Sequence, residues 1–135
     1  MTIKTIGIDL AKNVFELCGL DANGEILLRR RVRRETLLRA VGEVPACVIG
    51  IEACTGAFFW QRQFEALGHE VRIIAPQHVK PFGRRQKNDR NDAEAIAIAV
   101  TQPRMRFVPK KNIAQQDIQT LHRARRRMVN HRTAL

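Results

Sequence analysis

The sequence predicts an α/β domain built on a mixed five-stranded sheet, and three observations carry that expectation. The word Ile6-Gly7-Ile8-Asp9 recurs as Ile49-Gly50-Ile51-Glu52; each copy is a short apolar, β-branched run typical of a buried strand, and each ends in a carboxylate. Asn23-Gly24, between two further strand-like runs, supplies the positive φ angles of a tight hairpin. From Glu35 onward, helical spacings of apolar residues alternate with apolar runs, the pattern of crossover connections between parallel strands.

Residues 3–10 and 14–20 are the first two strands, joined through Ala11-Lys12-Asn13, and residues 21–24 are the turn. The third strand, 25–32, returns antiparallel. Arg29, Arg31 and Arg33 alternate with Arg30 and Arg34 on its other face, which a fully buried strand would not tolerate, so it lies at an edge. Those arginines either block edge-to-edge aggregation or contact phosphate, and the sequence leaves both open. Residues 35–44 carry Leu37, Leu38 and Val41 at helical spacing and stop at Pro45; the strand 46–52 then lies parallel beside the first. Thr55-Gly56 opens a helix to Leu67, with Phe58, Trp60, Phe64 and Leu67 as core and Gly68 as its C-cap.

Residues 70–75 form the fifth strand, ended by Pro76. Residues 77–90 are polar and basic, interrupted by Pro81 and Gly83, and read as a loop. A helix over 90–101 turns Ala93, Ile96, Ala97 and Val100 inward, and 104–111 is an extended link. A last helix from about 113 carries Ile118, Leu121, Ala124, Met128 and Leu135 on one side and arginines around the rest. It stops in mid-pattern, so the expectation is a piece of a longer protein, with one domain at 1–111 and the start of a basic coiled-coil helix at 112–135. An antiparallel meander followed by two parallel crossover strands is the ribonuclease H-like arrangement, with the first strand central and the fourth beside it.

Composition narrows the function. The 135 residues hold 24 Lys and Arg against 13 Asp and Glu, a formal net charge of +11, and nucleic acid is the natural partner for such a field. Three cysteines without a Cys-x-x-Cys pair, no signal-peptide pattern and no apolar run of membrane-spanning length point to a cytoplasmic protein away from membranes. No His and Cys are spaced as zinc ligands, and the chain contains no serine, so it cannot perform serine-based catalysis by itself.

If the two Ile-Gly-Ile strands are neighbours, their backbones run about 5 Å apart and Asp9 and Glu52 meet at their ends. Gly7 and Gly50 share a face with these acids and clear room beside them. Asp89 and Asp92, three apart at the start of a helix, share a helical face. The competing reading is that these two serve as N-cap and first-turn acids, and that each strand-end acid merely opens a loop. Four carboxylates facing a cleft in a basic protein call for a hard cation, Mg2+ or Mn2+, in pairs able to stabilise both oxygens of a phosphodiester displacement. Lys12, Lys80, Arg84, Arg85, Lys87, Arg123 and Arg126 are the candidate nucleic-acid contacts.

Five segments, Ile-Gly-Ile-Asp-Leu-Ala-Lys (6–12), Ile-Glu-Ala-Cys-Thr-Gly-Ala (51–57), Gly-His-Glu-Val-Arg (68–72), Ala-Pro-Gln-His-Val-Lys-Pro-Phe (75–82) and Lys-Asn-Asp-Arg-Asn-Asp-Ala-Glu-Ala-Ile-Ala (87–97), resemble the amino-terminal, RuvC-like domain of the DEDD transposases of insertion sequences, relatives of the Piv invertase. The resemblance extends over essentially the whole chain. It implies a DNA recombinase whose Asp-Glu-Asp-Asp tetrad falls on Asp9, Glu52, Asp89 and Asp92 as catalytic, Mg2+-binding residues. It also implies a coiled-coil segment that makes homo-oligomers, a second domain bearing a nucleophilic serine, and a structured bridge RNA as guide. On that basis residues 1–135 alone should be inactive. A free-standing Holliday-junction resolvase or nuclease, and a non-catalytic basic nucleic-acid-binding oligomerisation module, are the alternatives.

Overall fold

In the computed structural model the chain is described over residues 2–11, 13–83 and 89–109, with residues 89–91 described by backbone alone. Five strands, β1 (Thr5–Asp9), β2 (Val14–Leu20), β3 (Ile26–Arg33), β4 (Val48–Glu52) and β5 (Glu70–Ile74), form one sheet in the order β3-β2-β1-β4-β5. β1 pairs antiparallel with β2 and parallel with β4, and β4 parallel with β5. The meander followed by crossover strands, with β1 central and β3 at an edge, is as expected. The last helix and the 112–135 segment lie outside the described residues.

The two sheet faces divide by the period of two. Ile6, Ile8, Phe15, Leu17, Val32, Ile49, Ile51, Val71 and Ile73 point to one face, where α1 (Arg34–Gly42) and α2 (Ala57–Ala66) cover them with Leu37, Val41, Trp60 and Phe64. Trp60 meets Phe15 edge-on at 5.5 Å and stacks on Phe64 at 5.7 Å, so these aromatics are core. Leu67, expected inside, is 43 % exposed because α2 ends at Ala66 and the chain turns away through Gly68 at φ +97°. Arg34, assigned by alternation to the third strand, opens α1 instead and lays its guanidinium over Trp60 at 5.2 Å.

On the opposite face lies α4 (Asp89–Val100), whose Ala93 and Ala97 pack on Cys18 and Leu20, and whose Ala95, Ile96, Ala99 and Val100 pack on Ile74 and Val79. The strand glycines decide how close it comes. A Cβ on Gly7 would overlap the Ala93 carbonyl oxygen and stand 2.5 Å from the Ala97 nitrogen, and one on Gly50 would stand 2.5 Å from Val100 Cγ1. The space that the sequence reading gave to the neighbouring acids is therefore filled by the helix.

Three local expectations change. The hairpin is organised by Asp21 more than by Asn23: its Oδ1 accepts from the amides of Asn23 and Glu25 at 2.8 and 2.9 Å, and within the turn only Gly24 takes positive φ, as in a type I turn closed by a glycine bulge. Residues 77–83, part of the expected loop, instead carry most of a short helix α3 (Pro76–Val79) and a 3-10 turn (Lys80–Phe82). Pro76 starts the helix as well as ending β5, because at the first helical position its missing N–H costs nothing. The link after α4 adds one rung to β5, with the Val108 amide donating to the Ile73 carbonyl at 2.7 Å.

At the amino ends of β4 and β5, buried His69 ties three segments. Its Nδ1 accepts from the Cys47 amide at 3.2 Å and its Nε2 donates to the Val41 carbonyl at 3.0 Å. Burial pushes the Cys47 thiol up to about 11, leaving it protonated and inert at neutral pH.

Packing of α4 predicts unequal costs at the two glycines. Gly7→Ala meets backbone, which has nowhere to go, and should cost about 3 kcal/mol or more in chemical denaturation. Gly50→Ala meets a side chain, so Gly50→Ala with Val100→Ala should cost less than the sum of the two single changes.

Candidate active site

β1 and β4 run parallel in register, Ile8 opposite Ile51, so Asp9 and Glu52 follow at the same carboxyl end of neighbouring strands. Crevices at the carboxyl ends of parallel strands are where α/β sheets bind ligands, because the helices that follow leave the strand ends uncovered. Seating α4 on Gly7 and Gly50 holds its first turns over those ends. Asp9, Glu52 and Asp92 consequently line one cleft of about 260 Å³, together with Lys80, Pro76, Val79, Gly83 and Ala95.

The charges in this cleft are unequally settled. Glu52 is raised above the ordinary carboxylate range, first by burial and then by the negative charge of Asp92, and Lys80 only partly offsets this. A basic protein thus keeps an acidic pair in mutual repulsion. Among the described residues, no group of three or more His, Cys, Asp and Glu side chains converges closely enough to hold an ion, although Asp9, Glu52 and Asp92 line the same cleft. The donors are nonetheless hard carboxylate oxygens lining one space, with Glu52 and Asp92 in mutual repulsion, a donor set that suits Mg2+ or Mn2+.

Of the residues singled out in the sequence, the fold brings Asp9, Glu52, Asp92 and Lys80 together. Asp89 is the first residue of α4, three before Asp92, and its side chain lies outside the described set. Lys12, Arg84, Arg85, Lys87, Arg123 and Arg126 also lie outside it. The sequence reading missed Glu16. It pairs with Asp9 across β1 and β2, is only 4 % exposed, and is held by Arg31 of β3. The alternation of Phe15 and Leu17 with Glu16 and Cys18 already set Glu16 on the face opposite the α1/α2 core, but its position beside Asp9 required the register. Arg29 of β3 reaches Glu94 of α4 at 3.2 Å and fastens the helix to the sheet edge.

Sheet order and helix placement define a ribonuclease H-like fold similar to that of RuvC. The structure superposes on Thermus thermophilus RuvC with TM-score 0.58, 13 % identity, 77 % of this chain and 99 % of that one. Against the same protein in complex with a Holliday junction substrate, the TM-score is 0.56 at 12 % identity, covering 80 % and 100 %. Residues 6–135 match the family model DEDD_Tnp_IS110, described as a transposase, and the chain belongs to that family. Relatives include a probable family 20 transposase of Pseudomonas aeruginosa, 44 % identical over 135 residues, all of this chain and 40 % of the relative. The transposase for insertion sequence element IS1111A of Coxiella burnetii is 47 % identical over 133 residues, 98 % of this chain and 36 % of the relative. That for IS1328 of Yersinia enterocolitica is 42 % identical over 130 residues, 96 % and 39 %. The chain spans between about a third and two-fifths of these relatives' lengths.

The raised Glu52 has a measurable consequence. In the folded state it keeps its proton to higher pH than in the unfolded chain, so its contribution to stability is complete below the unfolded value and is lost as pH rises through the folded one. Without divalent cations, Glu52→Gln should therefore melt higher than the unsubstituted chain at pH 7. The difference should vanish below about pH 4, where both forms are neutral at this position.

Proposed function

We propose that this chain is the metal-binding half of the catalytic centre of an insertion-sequence DNA transposase, with Asp9, Glu52, Asp89 and Asp92 as ligands of Mg2+ or Mn2+. The observation that carries the reading is the shared cleft: Asp9, Glu52 and Asp92 line one cavity at the carboxyl ends of two neighbouring parallel strands, and Glu52 is raised partly by the charge of Asp92. A divalent pair bound there supplies Lewis-acid stabilisation of the attacking and leaving oxygens of a phosphodiester. The chain's own residues do the rest. Asp9 and Glu52, fixed on rigid strands, set the position of the site; Asp92 rides on α4; Lys80 brings a positive charge to the rim for an incoming phosphate.

Family membership supports DNA as the substrate, and the net charge of +11 supports binding through the phosphate backbone. The reading extends to a structured guide RNA as second partner, to homo-oligomers built through residues 113–135, and to action in the cytoplasm. The described residues contain no helix long and apolar enough to cross a membrane. Because the chain has no serine, it cannot itself provide the serine nucleophile that the family resemblance implies.

Isothermal titration calorimetry with MgCl2 and MnCl2 tests the proposal. The unsubstituted chain should bind the cation, and Asp9→Asn or Asp89→Asn should weaken binding by at least about tenfold, since loss of a ligand costs no less than loss of a group that merely supports one. Absence of binding, or equal binding by both variants, would sink the metal site. Purified residues 1–135 should bind DNA without exchanging strands.

A further inference from the structure

Across the carboxyl end of the sheet the registers place four charged residues in a single transverse row. Asp9 lies opposite Glu16, Glu16 lies opposite Arg31, and Glu52 follows the Ile51 that pairs with Ile8. Directly paired residues share a sheet face, so the row Glu52, Asp9, Glu16, Arg31 points to the side of the cleft. At about 4.8 Å per strand, Arg31 stands roughly 10 Å from Asp9, measured between backbones.

The Glu16–Arg31 pair is asymmetric. Glu16 is 5 % exposed at its side chain and accepts from Nε of Arg31, whose side chain remains 64 % exposed. A buried carboxylate is a costly way to stabilise a sheet edge, and an apolar residue at position 16 would serve packing as well. What the arrangement achieves is orientation. Glu16 grips the guanidinium from the sheet side through Nε and leaves the outer part of the side chain turned to solvent, in line with Asp9 and Glu52. Two neighbouring arginines of β3 have different duties: Arg29 is tied to Glu94, and Arg30, on the other face, lies 3.6 Å from Glu43.

We propose that Arg31, oriented by Glu16, binds a DNA phosphate flanking the one presented to the Asp9–Glu52–Asp92 cleft, and so sets the path of the strand across the sheet. The proposal rests on the DNA reading above. A guanidinium suits the task because its planar fork can hold a phosphate while a third nitrogen stays with the carboxylate. Arg31 is the residue that touches DNA; Glu16 is a positioning residue.

The alternative is that Arg31 only neutralises Glu16, and the double variant Glu16→Gln with Arg31→Gln separates the two. It keeps the net charge and replaces the ion pair by a neutral one, whereas Arg39→Gln, at an exposed site on α1, lowers the net charge by one. Binding of a fluorescein-labelled DNA duplex is followed by anisotropy over a range of salt concentrations. The expected result is about tenfold weaker binding for the double variant at low salt, with a log–log salt slope smaller by about one, and a change within about twofold for Arg39→Gln. Unchanged binding by the double variant, or an equal loss with Arg39→Gln, overturns the proposal and leaves the DNA reading standing. No binding by the unsubstituted chain overturns both. A measurement that needs no variant is the Nε–H resonance of Arg31: it should shift on addition of the duplex while that of Arg39 does not, and a shift confined to Arg39 overturns the inference.

Discussion

The close approach of α4 to the sheet is the contact on which the rest of the candidate site depends. A helix carrying alanines at 93 and 97 can come down on a strand only where the strand offers no side chain, and Gly7 and Gly50 open that path on the two central strands. The helix backbone, rather than a layer of side chains, then sets the spacing, and that fixes the height of Asp92 above Asp9 and Glu52. Interiors packed at crystal-like density do not flex to absorb an added methyl, so the two glycines govern site geometry as much as stability.

The electrostatics follow from that placement. Three carboxylates facing one small cleft, one of them raised by burial and by its neighbour, form a region of negative charge within a molecule of formal charge +11. Elsewhere on the same face the acids are matched: Glu16 by Arg31 and Glu94 by Arg29. The contrast gives the cleft its chemical character. Acids that hold the sheet and helix together have arginine partners, while Glu52 and Asp92 act on each other and Lys80 partly moderates the effect on Glu52.

Much of this was legible along the chain because the relevant periods are short. Alternation and β-branching marked the strands, and the repeated Ile-Gly-Ile word marked the two central ones together with their terminal acids. The errors have local causes of equal clarity. Pro76 was read as a stop when it also begins α3, Arg34 was carried one residue too far into the strand pattern, and Leu67 was given to a core that α2 leaves before reaching it.

What the sequence by itself determined is the five strands and the helices α1, α2 and α4, their order, and the acids Asp9, Glu52 and Asp92 at strand ends and a helix start, because side-chain period and turn chemistry are properties of neighbouring residues. Only the tertiary structure decided which acid faces which. The pairing of Asp9 with Glu16, the hold of Glu16 on Arg31, and the use of Gly7 and Gly50 to seat a helix instead of clearing room for a carboxylate all depend on register and interlayer distance. These are contacts between residues far apart in the chain, set by the packing of whole layers, and no local pattern encodes them.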